Sequence, residues 1–239
     1  MSAQTTVIVL AKTPRAGFVK TRLTPPCTAQ QAADLAEAAL ADTLAAVAAA
    51  AVDRRVLVLD GAVGDWLPPG FAVLPQRGDG LAERLTSAYA DVLGDRARAP
   101  TLLVGMDTPQ VTAALIESSL DALSRAGVGA VLGAAVDGGW WAVGLHEYET
   151  RAFVGIPMST PDTGRRQRER LARLGLHIDD LAELRDVDVW DDALAVATEA
   201  PGSAFARVVA TLSSTQSPRD RIESASGSGN GLHDDSGGR

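Results

Sequence analysis

Short apolar runs alternate along the chain with longer stretches in which apolar residues return every three or four positions, so strands and helices follow one another. Residues 5–11, Thr-Thr-Val-Ile-Val-Leu-Ala, are β-branched and apolar and predict a central first strand. A loop leads to Thr28-Ala-Gln-Gln31, a capping-box pattern, and to an alanine-rich helix reaching about residue 51 with Leu35, Ala39, Leu44 and Val47 on one face. Residues 55–60 predict a second strand. Pro68-Pro69-Gly70 marks a turn before a short third strand over 71–74, and 80–93 predicts a helix. A strand follows over 100–106, then a helix over 110–126 with Thr108 as N-cap and Pro109 as its first residue. Residues 130–136 form another strand, which Gly138-Gly139 breaks, and 140–145 predicts a strand running back, so the sheet is mixed. Ser159-Thr160-Pro161 repeats the N-cap and proline pattern ahead of a helix to about residue 174. A short strand over 176–178 and helices over 190–199 and 202–212 complete the ordered chain.

This order predicts a single α/β domain over residues 1–212 with a mostly parallel, mixed sheet. Aromatic residues make up only 4% of the chain against 46% hydrophobic, so Val, Leu and Ala must fill the core, which favours β-α-β layering over an aromatic-rich sandwich. Residues 213–239 are mostly Ser, Gly, Asp and Arg without apolar periodicity, a composition that predicts a disordered tail.

Charge is unevenly distributed. The net charge is −8, yet residues 1–23 carry Lys12, Arg15, Lys20 and Arg22 and no acid. Residues 179–192 carry Asp179, Asp180, Glu183, Asp186, Asp188, Asp191 and Asp192 against Arg185. The two segments are either phosphate-binding and metal-binding halves of one site or two solvated surface stretches. The acidic balance argues against nucleic acid as a partner. Cys27 is the only cysteine, which excludes an internal disulfide and a cysteine-based zinc site, and His146, His177 and His233 form no spaced metal motif. No leader pattern precedes the first strand and no apolar run has the length of a membrane span, so a cytoplasmic location is expected.

The densest chemistry lies in Val104-Gly105-Met106-Asp107-Thr108-Pro109. Asp107 falls at the carboxyl end of a predicted parallel strand, where ligands of open α/β sheets bind, and is placed either to hold Mg²⁺ or Mn²⁺ carrying a diphosphate or to cap the next helix. The loop Lys12-Thr-Pro-Arg-Ala-Gly-Phe-Val-Lys-Thr-Arg22 offers four cations, with Gly17 permitting close backbone approach. It is neither a P-loop nor a dinucleotide fingerprint, and Asp60 lies too far beyond Gly17 for the roughly 20-residue spacing of a dehydrogenase's ribose acid. Lys20 and Arg22 alternate in what reads as an extended segment and can point together at a diphosphate, or stand solvated. Asp137, before Gly138-Gly139, is a general base, a partner for a sugar hydroxyl, or a turn-former. Trp140 and Trp141 must face opposite sides of their strand, so at most one is core while the other lines the cleft. Thr160 is expected chiefly as a helix cap, at a helix amino end suited to anions.

Taken together, K-T-P-R-A-G-F-V-K-T-R-L, G-M-D-T-P-Q, V-D-G-G-W-W-A-V-G-L, G-I-P-M-S-T-P-D-T and the late D-V-D resemble a bacterial family of glycosyltransferase-A-fold proteins, the arsenosugar-type or radical-SAM/selenodomain-associated glycosyltransferases. The resemblance spans about residues 5–197. It implies a three-layer α/β/α, Rossmann-like nucleotide-diphospho-sugar transferase fold, with base and phosphates over the amino-terminal half of the sheet and the acceptor over the other half. It implies that Asp107 is the metal-binding acid. This chain has D-T-P where the superfamily has D-x-D, so a second ligand must come from elsewhere, and the resemblance points to Asp188 of the late D-V-D. Relatives often continue that segment with Thr-Pro-Glu-Asp, whereas here Val189-Trp190-Asp191-Asp192 follows.

Three functions fit. One is glycosyl transfer from a nucleotide-activated sugar to a small-molecule acceptor, with Lys20 and Arg22 assisting the departing diphosphate. The second is nucleotidyl transfer, in which a phosphorylated small molecule attacks a nucleoside triphosphate and pyrophosphate departs; the loop ending K-T-R-L also resembles that of phospholactate guanylyltransferases, and Lys12 and Arg15 would grip the longer phosphate chain. The third is a nucleotide-binding protein without turnover.

Overall fold

The computed structural model describes residues 4–94 and 99–215. Among them the first strand, β1 (Thr6–Lys12), is buried over nearly its whole length, as its unbroken β-branched run requires of a central strand. The long helix α1 (Ala29–Ala49) starts where Thr28 accepts from the Gln31 amide and the Gln31 side chain accepts from the Thr28 amide, the expected capping box. Strands β2 (Arg54–Asp60) and β3 (Ala72–Pro75), helix α2 (Leu81–Leu93) and strand β4 (Thr101–Val104) follow. Next come α3 (Ala113–Leu123), β5 (Ala130–Ala134), β6 (Trp140–Leu145), α4 (Thr163–Arg173), β7 (Ile178–Asp180), α5 (Trp190–Glu199) and α6 (Ala204–Thr215).

The described strands form one seven-stranded sheet in the order β3-β2-β1-β4-β6-β5-β7. All neighbours pair in parallel except β6, which runs antiparallel to both β4 and β5, with Val104 opposite Ala142 and Leu132 opposite Val143. The carboxyl ends of β1, β2 and β4 therefore open on one edge of the sheet. The expected mostly parallel, mixed sheet is the one observed. One apolar cluster joins a sheet face to α1 and α3, a second joins the other face to α2 and α4, and a third packs α5 and α6 on the outer side of α1. Asp42 of α1 holds the start of α6, accepting from the Ala204 and Phe205 amides at 2.9 and 2.8 Å.

Two helix starts depart from expectation. Thr108 and Pro109 form a turn, in which the Val111 amide donates to the Thr108 carbonyl, and α3 begins one turn later with Thr112 as its cap. The Thr108 hydroxyl is buried without a partner. In the same way Asp162, not Thr160, stands at the N-cap of α4, and the Thr160 amide donates to Thr163 Oγ1 at 3.0 Å. Strand β7 falls two residues later than expected. Helix α6 runs through residue 215, past the expected start of the tail at 213; the remainder of that tail, 216–239, lies outside the described residues. No helix among the described residues is long and apolar enough to cross a membrane.

Candidate functional site

Beyond β7 the chain keeps pairing with β5. The Leu181 and Leu184 amides donate to the Leu132 and Ala134 carbonyls, and the Val136 amide donates to the Leu184 carbonyl. This delivers residues 185–188 to the carboxyl edge of the sheet, beside the segment that follows β4. Two bonds lock the segments together: the Val187 amide donates to the Asp107 carbonyl at 3.2 Å, and the Gln110 side-chain amide donates to the Arg185 carbonyl at 2.7 Å. Val187 is buried in the third apolar cluster. Asp188 is thereby placed next to Asp107 although the two are remote in sequence.

The Val-Trp-Asp-Asp continuation does not disturb this geometry. Asp192 Oδ2 accepts from the Asp188 and Val189 amides at 3.2 and 3.1 Å, and α5 starts at Trp190. An acid at the third helical position thus satisfies the exposed amide donors although Val189 has no capping side chain. Arg185 adds an ion pair to Asp192 at 3.2 Å.

Both acids meet Lys20. Its ammonium lies 2.8 Å from Asp107 Oδ1 and 3.8 Å from Asp188 Oδ1, and donates to the Val187 carbonyl. The Lys20 side chain is only 8% exposed. Lys20 itself has φ 49° and ψ 37°, and a single 3-10 turn, Thr21–Leu23, follows with Leu23 buried. The expected extended segment is therefore absent, because Leu23 must turn inward to the core while Lys20 turns toward the acids. Arg22 nevertheless reaches the same carboxylate, with Nη1 2.9 Å from Asp188 Oδ2. Arg22 is mostly exposed, so that pair is worth at most about 1 kcal/mol.

A third acid of this group, Asp186, was not singled out from sequence. Burial and then the carboxylates of Asp107, Asp137 and Asp188 push its pKa up to about 7, opposed by the Lys20 ammonium. Its Oδ1 is buried with no hydrogen-bond partner. The signal was the D-V-D spacing, in which a buried Val187 separates two acids that cannot both follow it into the core.

Asp137 Oδ1 accepts from the Gly139 amide at 2.8 Å, the turn-forming role. The space left by the two glycines is filled by the protein itself. Gly138 has φ 88°, a Cβ there would stand 2.0 Å from the Pro161 carbonyl oxygen, and the Gly164 amide donates to the Gly138 carbonyl at 2.8 Å. Thr160 spends its polar groups on Thr163 within the same junction. The Trp141 indole is fully buried and donates to the Ala182 carbonyl at 2.9 Å, and Gly133 makes room for it. Trp140 lies on the opposite face, 6.5 Å from the Phe153 ring between centroids, with its indole N–H buried and unpartnered. Both tryptophans thus pack against apolar clusters, where one was expected to line the cleft.

In the opening loop, the Lys12 amide donates to Met106 Sδ, which ties the end of β1 to the segment carrying Asp107. The Lys12 side chain is exposed, and Arg15 stacks over the exposed Phe18 ring at 4.6 Å. Gly17 adopts φ 79° with open space around it and lines a depression of about 200 Å³ with Val19, Thr21, Thr24 and Ala29. Across β1–β3, Arg84 binds Asp60 at 2.6 Å and Gln76 Oε1 at 3.2 Å, while the Gln76 amide donates to the Ala11 and Val58 carbonyls. Asp60 is thus neutralised within the protein.

The residues around Lys20 suit a divalent cation. Three oxygens, from two carboxylates and a backbone carbonyl, already converge on one positive charge, and a hard oxygen-only set is the donor chemistry of Mg²⁺ and Mn²⁺. Among the described residues no cluster of three or more His, Cys, Asp or Glu has ready-made metal-ligand geometry. Asp107 and Asp188 are the members of the acid group that contact the ammonium.

The chain belongs to DUF2064, a family of uncharacterised proteins conserved in bacteria, whose model matches residues 28–160. Among solved structures, it is similar to a "putative nucleotide-diphospho-sugar transferase" from Desulfovibrio desulfuricans G20, at 25% identity and TM-score 0.77 over 89% of this chain and 95% of that one. The fold extends to a cytidylyltransferase from Leptospira borgpetersenii, at 10% identity and TM-score 0.52 over 97% of this chain and 100% of that one. It extends likewise to 4-diphosphocytidyl-2C-methyl-D-erythritol synthase, at 13% identity and TM-score 0.52 over 83% and 98% of the two chains. Among curated proteins none matches the sequence.

Proposed function

We propose that this DUF2064 protein transfers a glycosyl group from a nucleotide-activated sugar to a small-molecule acceptor, using Mg²⁺ or Mn²⁺ held by Asp107 and Asp188. The observation that carries the reading is the meeting of these two acids at one cation, on the carboxyl edge of a parallel sheet and beside the basic opening loop. The similarity to the Desulfovibrio protein supports the donor class. The working unit is one domain, closed by α6.

In this reading Lys20, Arg22 and the amides around Gly17 bind the donor diphosphate, with Lys12 and Arg15 at the outer end of the loop. A bound divalent cation would supply positive charge to the diphosphate as it leaves. Asp137 faces the acceptor side as hydroxyl partner or base, fixed by its bond to the Gly139 amide. Trp140 and Thr160 flank that side as supports of the junction with α4. The acceptor is a small molecule and not nucleic acid, in keeping with the net charge of −8.

Nucleotidyl transfer is the second reading, favoured by the exposed Lys12 side chain, which makes no ion pair within the described residues and is free to meet a third phosphate. A thermal-shift panel of nucleotide sugars and nucleoside triphosphates, with and without Mn²⁺ and repeated on Asp107→Ala, tests both. Stabilisation by a nucleotide sugar that needs metal and Asp107 is expected. Release of nucleoside diphosphate during turnover supports glycosyl transfer, and release of pyrophosphate supports the second reading. Nucleotide binding indifferent to metal and to Asp107 would refute the metal-dependent mechanism and favour a binding protein without turnover.

A further inference from the structure

The chain contains 20 arginines and two lysines, and both lysines, Lys12 and Lys20, lie in the opening loop. The Lys20 ammonium is engaged within the protein: it donates to the Val187 carbonyl, lies 2.8 Å from Asp107 Oδ1 and stands in ion-pair range of Asp188 Oδ1 at 3.8 Å. A cation assigned to phosphate binding is thus committed to the protein's own acids, in the place a divalent ion would take between them.

We propose that Lys20 is the resident counter-ion of the Asp107–Asp188 pair, and that a divalent cation enters by displacing its ammonium, which is then released to the donor diphosphate. The inference rests on the metal-dependent reading above and adds how that site is loaded. An ammonium and a divalent ion compete for these oxygens, because like charges repel at such range and the Lys20 side chain, only 8% exposed, is held close against the two acids. The released lysine needs a new anion, and the diphosphate carries it. Metal and diphosphate therefore assist each other, while metal alone must overcome the existing ion pair. Arg22 also binds Asp188 but from solvent, so it can swing aside at little cost.

Two measurements test this. Mn²⁺ binding, read from the free-ion electron paramagnetic resonance signal, is compared in wild type, Lys20→Met, Arg22→Met and Asp107→Ala. Lys20→Met is expected to bind Mn²⁺ about tenfold more tightly than wild type, in the range of ordinary coupling between linked ligands, with Arg22→Met changing affinity by less than about threefold. On the wild-type protein, amine acylation followed by mass spectrometry uses exposed Lys12 as an internal reference. Lys20 is expected to be protected without metal, to become reactive as Mn²⁺ saturates the site, and to be protected again when inorganic pyrophosphate is added with Mn²⁺. Asp107-dependent Mn²⁺ binding that leaves Lys20 protected, or that Lys20→Met does not tighten, overturns the displacement and leaves the metal reading standing. Absence of Asp107-dependent Mn²⁺ binding, with or without pyrophosphate, overturns both.

Discussion

Replacing Gly164 by alanine pits two physical effects of opposite sign against each other. Gly164 lies in the first turn of α4, and helix propensity alone makes alanine more stable than glycine there by at most about 1 kcal/mol. The structure demands the reverse. An added Cβ would stand 2.5 Å from the Gly139 carbonyl oxygen and 3.1 Å from the Gly138 oxygen, both backbone atoms that no rotamer change can move. Relief requires α4 to draw away from the Asp137-Gly138-Gly139 turn, at an overpacking cost of about 1–3 kcal/mol. The 2.8 Å bond from the Gly164 amide to the Gly138 carbonyl would stretch as well, losing about 0.5–1.5 kcal/mol. The net expectation is a destabilisation of about 1–3 kcal/mol, read by equilibrium urea unfolding with tryptophan fluorescence. Gly138→Ala should lose more, since its Cβ would meet the Pro161 oxygen at 2.0 Å and its φ of 88° adds about 1–2 kcal/mol of backbone strain. Gly175→Ala is the control: φ is 79° with nothing within 4 Å, so only the strain remains. Gly164→Ala as stable as wild type, or Gly138→Ala no worse than Gly175→Ala, would show that α4 does not close on this turn.

The two tryptophans should separate by stability. Trp141→Phe loses a 2.9 Å bond to the Ala182 carbonyl and buried volume, about 2 kcal/mol in urea unfolding, whereas Trp140→Phe removes an unpartnered buried N–H and should stay within about 1 kcal/mol of wild type. Asp192→Ala should cost about 1–2 kcal/mol by freeing the Asp188 and Val189 amides, and should weaken Mn²⁺ binding measured by titration although Asp192 lies outside the acid pair. Tyr89, fully buried and donating to the Val143 carbonyl at 2.8 Å, has its pKa raised by burial. Its folded pKa exceeds the unfolded value near 10, so stability is intact below about pH 10 and falls above it as the unfolded phenol ionises. Tyr89→Phe should lose about 1 kcal/mol at pH 7 and show a shallower alkaline decline, measured by urea midpoints from pH 8 to 11.

What the sequence disclosed and what it withheld divide according to how far the controlling contacts lie along the chain. The capping box at Thr28 and Gln31 needs only residues three apart, and it was legible; so were the β-branched first strand and the reversal at Trp140–Leu145. The Thr-Pro signals at 108 and 160 were local too, yet both misplaced a helix start by a few residues. Other caps were available downstream at Thr112 and Asp162, and tertiary contacts engaged the earlier residues, with Thr108 buried and Pro161 packed on Gly138. The candidate site shows the same division at longer range. Position at a strand end was enough to mark Asp107, but nothing local tells that the Lys20 backbone turns left-handed or that its ammonium is shared with Asp188. That outcome depends on Gln110 holding the Arg185 carbonyl and on Val187 being drawn into the core, and neither residue carries any chemistry of its own. Residues that bring a site together through backbone bonds and burial look ordinary in sequence. For that reason Gln110→Ala, which should leave α3 capped by Thr112 but unlatch residues 185–188, is expected to reduce Mn²⁺ affinity more than it reduces stability; the opposite ranking in titration and unfolding would show that Asp107 and Asp188 meet without this latch.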